Sequence, residues 1–237
     1  MNTNNDYISQ KENNAKVIHS FTPFTLLDYP NKTACILWFA GCNMRCNYCY
    51  NPDIVLGKGK IDFSEVILFL QNRKKLLDGV VFSGGECTLH KNIESYIEEI
   101  RQLGFAVKID TNGSSPKVIE SLLHKKLIDY VALDFKSTNN KFELITKSNF
   151  FNNFQESLRI LNAGQIPFEV RTTIHSELLL DSDIQKMINY LESENYKGIY
   201  YLQEFVNNIE TLGKIHNSKS IQFTQKLASR IKIELRN

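Results

Sequence analysis

Three cysteines in one loop carry the first recognisable chemistry of this sequence: Ala40-Gly41-Cys42-Asn43-Met44-Arg45-Cys46-Asn47-Tyr48-Cys49-Tyr50. Spaced Cys-x3-Cys-x2-Cys, they can wrap a metal centre with three thiolates. A structural zinc site wants four protein ligands, usually from two cysteine pairs or a pair of histidines. No fourth Cys or His accompanies this loop, so a centre built on it keeps one open position. An iron–sulfur cluster with one iron not held by protein is the species this spacing suggests.

Other chemistry-bearing residues sit at the ends of short apolar runs. Ser83-Gly84-Gly85-Glu86 follows Gly79 to Phe82, Asp110-Thr111-Asn112-Gly113 follows Phe105 to Ile109, and Asp134-Phe135-Lys136 follows Tyr130 to Leu133. Asp134 and Lys136 alternate, so both can point into one cleft. His175 follows the run Phe168 to Thr173, and Gln203-Glu204 follows Gly198 to Leu202. Read alone, Ser-Gly-Gly-Glu and Asp-Thr-Asn-Gly are also ordinary turns. Asp134 with Lys136 is equally readable as an exposed pair, and His175 as a surface histidine.

Positioning these groups requires a frame. The most apolar run, Thr33 to Phe39, reads as a buried strand just before the cysteine loop. With the five runs above and below it, six strands alternate with helical stripes such as Ile93, Tyr96, Ile97, Ile100 and Leu103. Ser64 looks like a helix cap, Ser115-Pro116 opens another helix, and Asp181 or Ser182 a third. Phe154, Leu158 and Leu161 mark a helix closed by Gly164, and Phe223, Leu227 and Ile231 predict a last one. Val17 to Tyr29 reads as a hairpin or entry strand. Such alternation argues for an α/β fold with a parallel sheet whose active edge is the C-terminal one. Six units are too few to close the usual eight-stranded barrel, which predicts an open, partial (β/α)6 barrel.

Composition narrows the setting. With 237 residues, 42% hydrophobic and 23% charged, the chain is expected to form one domain over residues 17–237. Met1 to Lys16, rich in Asn, reads as a disordered tail and not as a signal peptide. A net charge of +2 gives no case for nucleic acid, and no apolar stretch suggests a membrane span. Five cysteines, three in one loop, fit a reducing compartment, so the expected location is cytoplasmic.

The motifs together resemble a known family. Cys42-x3-Cys46-x2-Cys49, with aromatic Tyr48 before the last cysteine, resembles the signature of radical S-adenosylmethionine enzymes. Ser83-Gly84-Gly85-Glu86 looks like their glycine-rich motif. Phe21-Thr22-Pro23-Phe24-Thr25-Leu26-Leu27-Asp28-Tyr29-Pro30, Asn51-Pro52-Asp53 and Tyr201-Leu202-Gln203 narrow the match to activating proteins of anaerobic (class III) ribonucleoside-triphosphate reductase. These are relatives of pyruvate formate-lyase activating enzyme. The resemblance spans roughly residues 21 to 205.

This resemblance implies a [4Fe-4S] cluster on Cys42, Cys46 and Cys49, with S-adenosylmethionine chelating the open iron. One-electron reduction of the sulfonium then yields a 5′-deoxyadenosyl radical that removes hydrogen from a glycine Cα of a partner. It places Asn47 and Tyr48 against the adenine, and Ser83, Gly84 and Gly85 against the methionyl amino group. Glu86 would accept from that ammonium or brace the loop. Asp134 and Lys136 would contact the cofactor. Asp110, Thr111 and Asn112 would hold it, or a monovalent cation beside its carboxylate, and His175 and Arg171 complete the candidates. The implied partners are a glycyl-radical enzyme, namely anaerobic ribonucleotide reductase, and a flavodoxin- or ferredoxin-type electron donor. Two rivals remain: a radical enzyme acting on a small molecule, as a 7-carboxy-7-deazaguanine synthase does, and a non-enzymatic metal-binding module. Cys87 departs from the family pattern, and Cys35 inside the apolar strand reads as core.

Overall fold

The computed structural model describes residues 16–219 and 227–236, so most of the expected tail lies outside it. One sheet of eight strands organises the described residues, in the order β1 to β8. β1 (Ile18–Thr25) runs antiparallel to β2 (Ala34–Phe39). From β2 onward all neighbours are parallel: β3 (Gly79–Gly84), β4 (Ala106–Thr111), β5 (Tyr130–Asp134), β6 (Phe168–Ile174), β7 (Ile199–Glu204) and β8 (Lys232–Arg236). β1 and β8 stay unpaired with each other, so the barrel is open, as the alternation predicts. All six expected strands are present as β2 to β7.

Seven α-helices and one 3-10 turn (Cys87–Leu89) accompany these strands among the described residues: α1 (Pro52–Leu56), α2 (Phe63–Gln71), α3 (Ile93–Gln102), α4 (Pro116–His124), α5 (Asn139–Thr146), α6 (Phe151–Ala163) and α7 (Asp181–Ser193). α2 is capped at Asp62, not Ser64, with the Glu65 carboxylate accepting from the Asp62 N–H at 3.1 Å. α7 begins after Leu180, whose N–H donates to Asp183.

Of the two readings of residues 17–29, the entry strand is the one formed: β1 pairs directly with β2 and a turn joins them. One expectation fails for a physical reason. The expected last helix is not formed by its described part: Leu227 is irregular, Ile231 lies in a bend, and residues 232–236 are a strand. Ile233 and Leu235 alternate with Lys232, Glu234 and Arg236, a period of two that suits the open edge of β7. Phe223 lies outside the described residues.

Strand alternation divides the interior. Cys35, Leu37 and Phe39 of β2, Val80 and Phe82 of β3, and Val107 and Ile109 of β4 face the helices and join the main core. The opposite parity faces the barrel interior. Near the N-terminal strand ends it is apolar, with Tyr29, Ala34, Ile36 and Val81 packed against Ala106 and Tyr130. Toward the C-terminal ends it becomes charged, through Lys108, Asp110, Asp134 and Arg171. The apolar layer floors the charged one.

Candidate active site

The cysteine loop leaves β2 and is clamped from three sides. Gly41 N–H donates to Ile54 O of α1 at 2.8 Å, while Arg45 and Asn47 N–H donate to Thr146 and Ile145 O at the end of α5. Leu212 and Gly213 N–H donate to Cys49 and Asn47 O from the opposite side. Arg45 folds back so that its Nη1 donates to Cys42 O and Met44 O. A loop this tightly bonded holds its thiols in place before any ligand arrives.

The glycine motif is cut to fit that loop. Gly84 has φ +116°, and a Cβ there would strike the backbone N and O of Phe39. A Cβ on Gly85 would fall on Gly41 O. Without those side chains, Gly85 N–H donates to Phe39 O and Glu86 N–H to Gly41 O, both at 2.9 Å. Two parallel strand ends are thus riveted together.

Glu86, only 1% exposed, is spent on the protein. Its Oε1 accepts from Thr88 N–H, Thr88 Oγ1 and Thr111 Oγ1, and its Oε2 from Asn112 N–H at 2.7 Å. Burial raises its pKa against the pull of these donors. Of the two expected roles, bracing the loop is the one this geometry supports. Asn112 extends the brace: its Nδ2 donates to Asn43 Oδ1 at 3.0 Å and lies 3.9 Å from Cys42 Sγ.

Across the cavity stands a charged ladder. Asp110 accepts from Lys108 at 2.5 Å and from Ser83 at 3.1 Å. Arg171 bridges to Asp134 at 3.0 Å and to Asp110 at 3.5 Å, and Lys136 meets Asp134 at 3.1 Å. Burial acts to raise both aspartates, but Arg171 and the lysines overcome it and hold both carboxyls below the usual range. The Lys136 ammonium also lies over the Tyr48 ring, 5.7 Å from its centre.

These groups line one cleft of about 450 Å³, within the ~300–1,000 Å³ of small-molecule sites. It brings together Cys42, Cys46, Cys49, Tyr48, Ser83, Gly84, Gly85, Glu86, Asp110, Thr111, Asn112, Asp134 and Lys136. Two expected residues are not part of that lining. Asn47 backs onto the segment around Gly213. His175 is fully buried: its Nδ1 accepts from Glu177 N–H, its Nε2 donates to His216 O at 2.8 Å, and its ring stands edge-on to Phe205. It ties down the strand end and does not reach the cleft. Arg171, also expected, is in the lining, and the cleft adds Asp28, Trp38, Thr173, Gln203 and Arg236. Strand parity could have found Trp38 and Thr173, which alternate with core residues. Arg236 required knowing that β8 exists.

The donor set suits a cluster. Burial pushes the Cys42 thiol up to about 12 and Cys46 to about 11, so a cationic centre that displaces the protons relieves both. Met44 N–H points at Cys42 Sγ, 3.4 Å away, as donors to cluster thiolates do. Among the described residues, no three His, Cys, Asp or Glu side chains are placed to share a single metal ion. A cubane asks less, because each thiolate takes a different iron.

Comparison with known proteins agrees. The model of the radical SAM superfamily matches residues 36–191. A Methanocaldococcus jannaschii protein named as a glycyl-radical enzyme activating enzyme is 31% identical over 195 residues, 80% of each chain. The pyruvate formate-lyase-activating enzyme of Clostridium pasteurianum is 27% identical over 222 residues, 88% of this chain and 92% of that one. Among solved structures, Streptococcus suis SuiB superposes with a TM-score of 0.66 at 12% identity over 84% of this chain, which spans 47% of SuiB. The chain therefore belongs to the radical SAM superfamily, alongside its glycyl-radical enzyme activating proteins, with a [4Fe-4S] cluster and S-adenosylmethionine as cofactors.

Proposed function

We propose that this protein generates a glycyl radical on anaerobic ribonucleoside-triphosphate reductase, receiving its electron from a flavodoxin- or ferredoxin-type donor. The observation that carries this reading is a convergence. The three stretches that narrow the family resemblance each send a residue to the same cleft: Asp28, Asn51 and Gln203. Residues this far apart in sequence share a cleft wall for a common ligand or partner.

In this reading Cys42, Cys46 and Cys49 hold the cluster. The bound cofactors supply an electron and a cleavable sulfonium, from which comes a carbon radical able to take hydrogen from a glycine Cα. The chain's own residues position and exclude. The Gly84-Gly85 backbone lines the cleft where its missing side chains let the strand ends close, and Glu86 keeps those ends joined beneath it. Asp134 and Lys136, paired to each other, present opposite charges to a zwitterionic ligand. Tyr48, 4% exposed, walls the cleft with its ring. Five cysteines without a disulfide fit the reducing cytoplasm, and no helix among the described residues is long and apolar enough to cross a membrane.

The test is anaerobic. Reconstituted protein with dithionite and S-adenosylmethionine should release 5′-deoxyadenosine. Addition of anaerobic ribonucleotide reductase should produce a glycyl radical by electron paramagnetic resonance. Product without that signal would overturn the partner assignment, and no product from a verified cluster would overturn the activity.

A further inference from the structure

The family resemblance offers Asp110, Thr111 and Asn112 to the cofactor or to a monovalent cation beside its carboxylate. The charged ladder leaves such a cation no place. Lys108 rises from the interior face of β4 with its side chain only 2% exposed, and its Nζ lies 2.5 Å from Asp110 Oδ1. The other oxygen, Oδ2, accepts from Ser83 and faces Arg171 Nη2 at 3.5 Å. Asp134 is likewise covered, Oδ1 by Arg171 and Oδ2 by Lys136. Every carboxylate oxygen of the pair already meets a cationic side chain. Alkali and other hard cations bind through open oxygen ligands, and here an ion would also meet the field of Lys108 and Arg171 in a poorly screened interior.

Within this ladder three cations, Lys108, Lys136 and Arg171, meet two carboxylates, and Asp28, Glu86, Glu204 and Arg236 complete the charged lining of the cleft. Cationic side chains fixed at one wall of a partly desolvated cleft suit the carboxylate of an amino-acid-type ligand. Lys108 is the member that has no other assignment. Its stem passes through the barrel interior at the level where the apolar floor ends, so its ammonium exists there only because Asp110 receives it.

We propose that Lys108 and Arg171 are a built-in replacement for the dissociable monovalent cation, so that cofactor binding is independent of sodium and potassium. The proposal rests on reading this cleft as the S-adenosylmethionine site. Lys108 is a positioning residue: it neutralises one side of Asp110, so that Arg171, shared between Asp110 and Asp134, is not drawn wholly onto Asp110 and keeps charge toward the ligand carboxylate.

Calorimetric titration of S-adenosylmethionine into anaerobically reconstituted, oxidised protein tests this at constant ionic strength in potassium, sodium or tetramethylammonium chloride. Oxidised cluster avoids turnover, so the readout is affinity alone. The wild-type Kd should agree within about twofold across the three salts, because no site takes up an ion. A loss of about tenfold or more in tetramethylammonium would overturn the proposal. Lys108→Met, which keeps length and removes charge, should bind about tenfold more weakly in tetramethylammonium and recover in potassium or sodium, as an ion enters beside Asp110. A Lys108→Met affinity blind to the salt would also overturn it. Lys108→Arg keeps the charge and should remain salt-independent, which covers the case in which the methionine variant does not fold. No binding in any salt, from protein with a verified cluster, would instead overturn the cofactor reading itself.

Discussion

Glu86 separates two roles that the sequence leaves open, and a pair of substitutions reads out which one it performs. Four donors converge on its carboxylate, three on Oε1 and one on Oε2. In Glu86→Gln the amide oxygen can keep the Thr88 and Thr111 bonds, while the amide nitrogen then faces the Asn112 N–H, donor against donor. One buried N–H left without an acceptor costs about 1–3 kcal/mol. Glu86→Ala removes both acceptor oxygens and with them all four bonds. The Thr hydroxyls can rotate elsewhere, but the Thr88 and Asn112 N–H groups cannot, so the loss is about 2–6 kcal/mol. With a urea slope near ~3 kcal/mol/M for a chain of this size, the midpoint should fall by about 0.3–1 M for Gln and about 0.7–2 M for Ala. Equilibrium urea unfolding under anaerobic reducing conditions measures both. Folded Glu86→Gln should still bind S-adenosylmethionine within about threefold of wild type, because its donors are all internal. Wild-type stability combined with lost cofactor binding would refute the bracing argument and return Glu86 to the ligand's ammonium.

Other outcomes follow from the same geometry. Replacing Cys42, Cys46 or Cys49 by Ala should each abolish the cluster's visible absorbance after reconstitution, whereas Cys35→Ala, on the helix-facing side of β2, should retain it. Gly85→Ala would press a Cβ into the Gly41 carbonyl, so the cysteine loop must shift, and both cluster content and thermal midpoint should fall. Asp110 and Asp134 are held below the ordinary carboxylate pKa of ~3.9. Their contribution is therefore fully present above that value and is lost as pH falls through the depressed folded pKa. Asp134→Asn should flatten the acid limb of a stability-versus-pH curve, and an unchanged limb would count against the ladder. His175→Gln should lower stability, about 1–3 kcal/mol for a disturbed buried hydrogen-bond pair, without altering cofactor affinity.

What could be read in the chain alone was local. The Cys-x3-Cys-x2-Cys spacing, the Gly-Gly-Glu turn and the alternation of Cys35, Leu37 and Phe39 are short-range patterns, set by neighbours a few residues apart. They sufficed for the loop, the six central strands and the edge that carries the site. The helix at Asn139–Thr146 escaped notice because Phe142 and Ile145 make too short a stripe, yet its C-terminal carbonyls clamp the cysteine loop. His175 looked like a cleft residue because it follows a strand end, and only the return of the chain at His216 buries it.

The sequence by itself determined which residues bear the chemistry and which strand ends carry them. Only the tertiary structure decided how those residues share their charges. Lys108, Asp110, Asp134 and Arg171 come from three strands, and their pairing depends on the register of β4, β5 and β6. Register, in turn, is fixed by the packing of the whole sheet against its helices, which no local pattern contains.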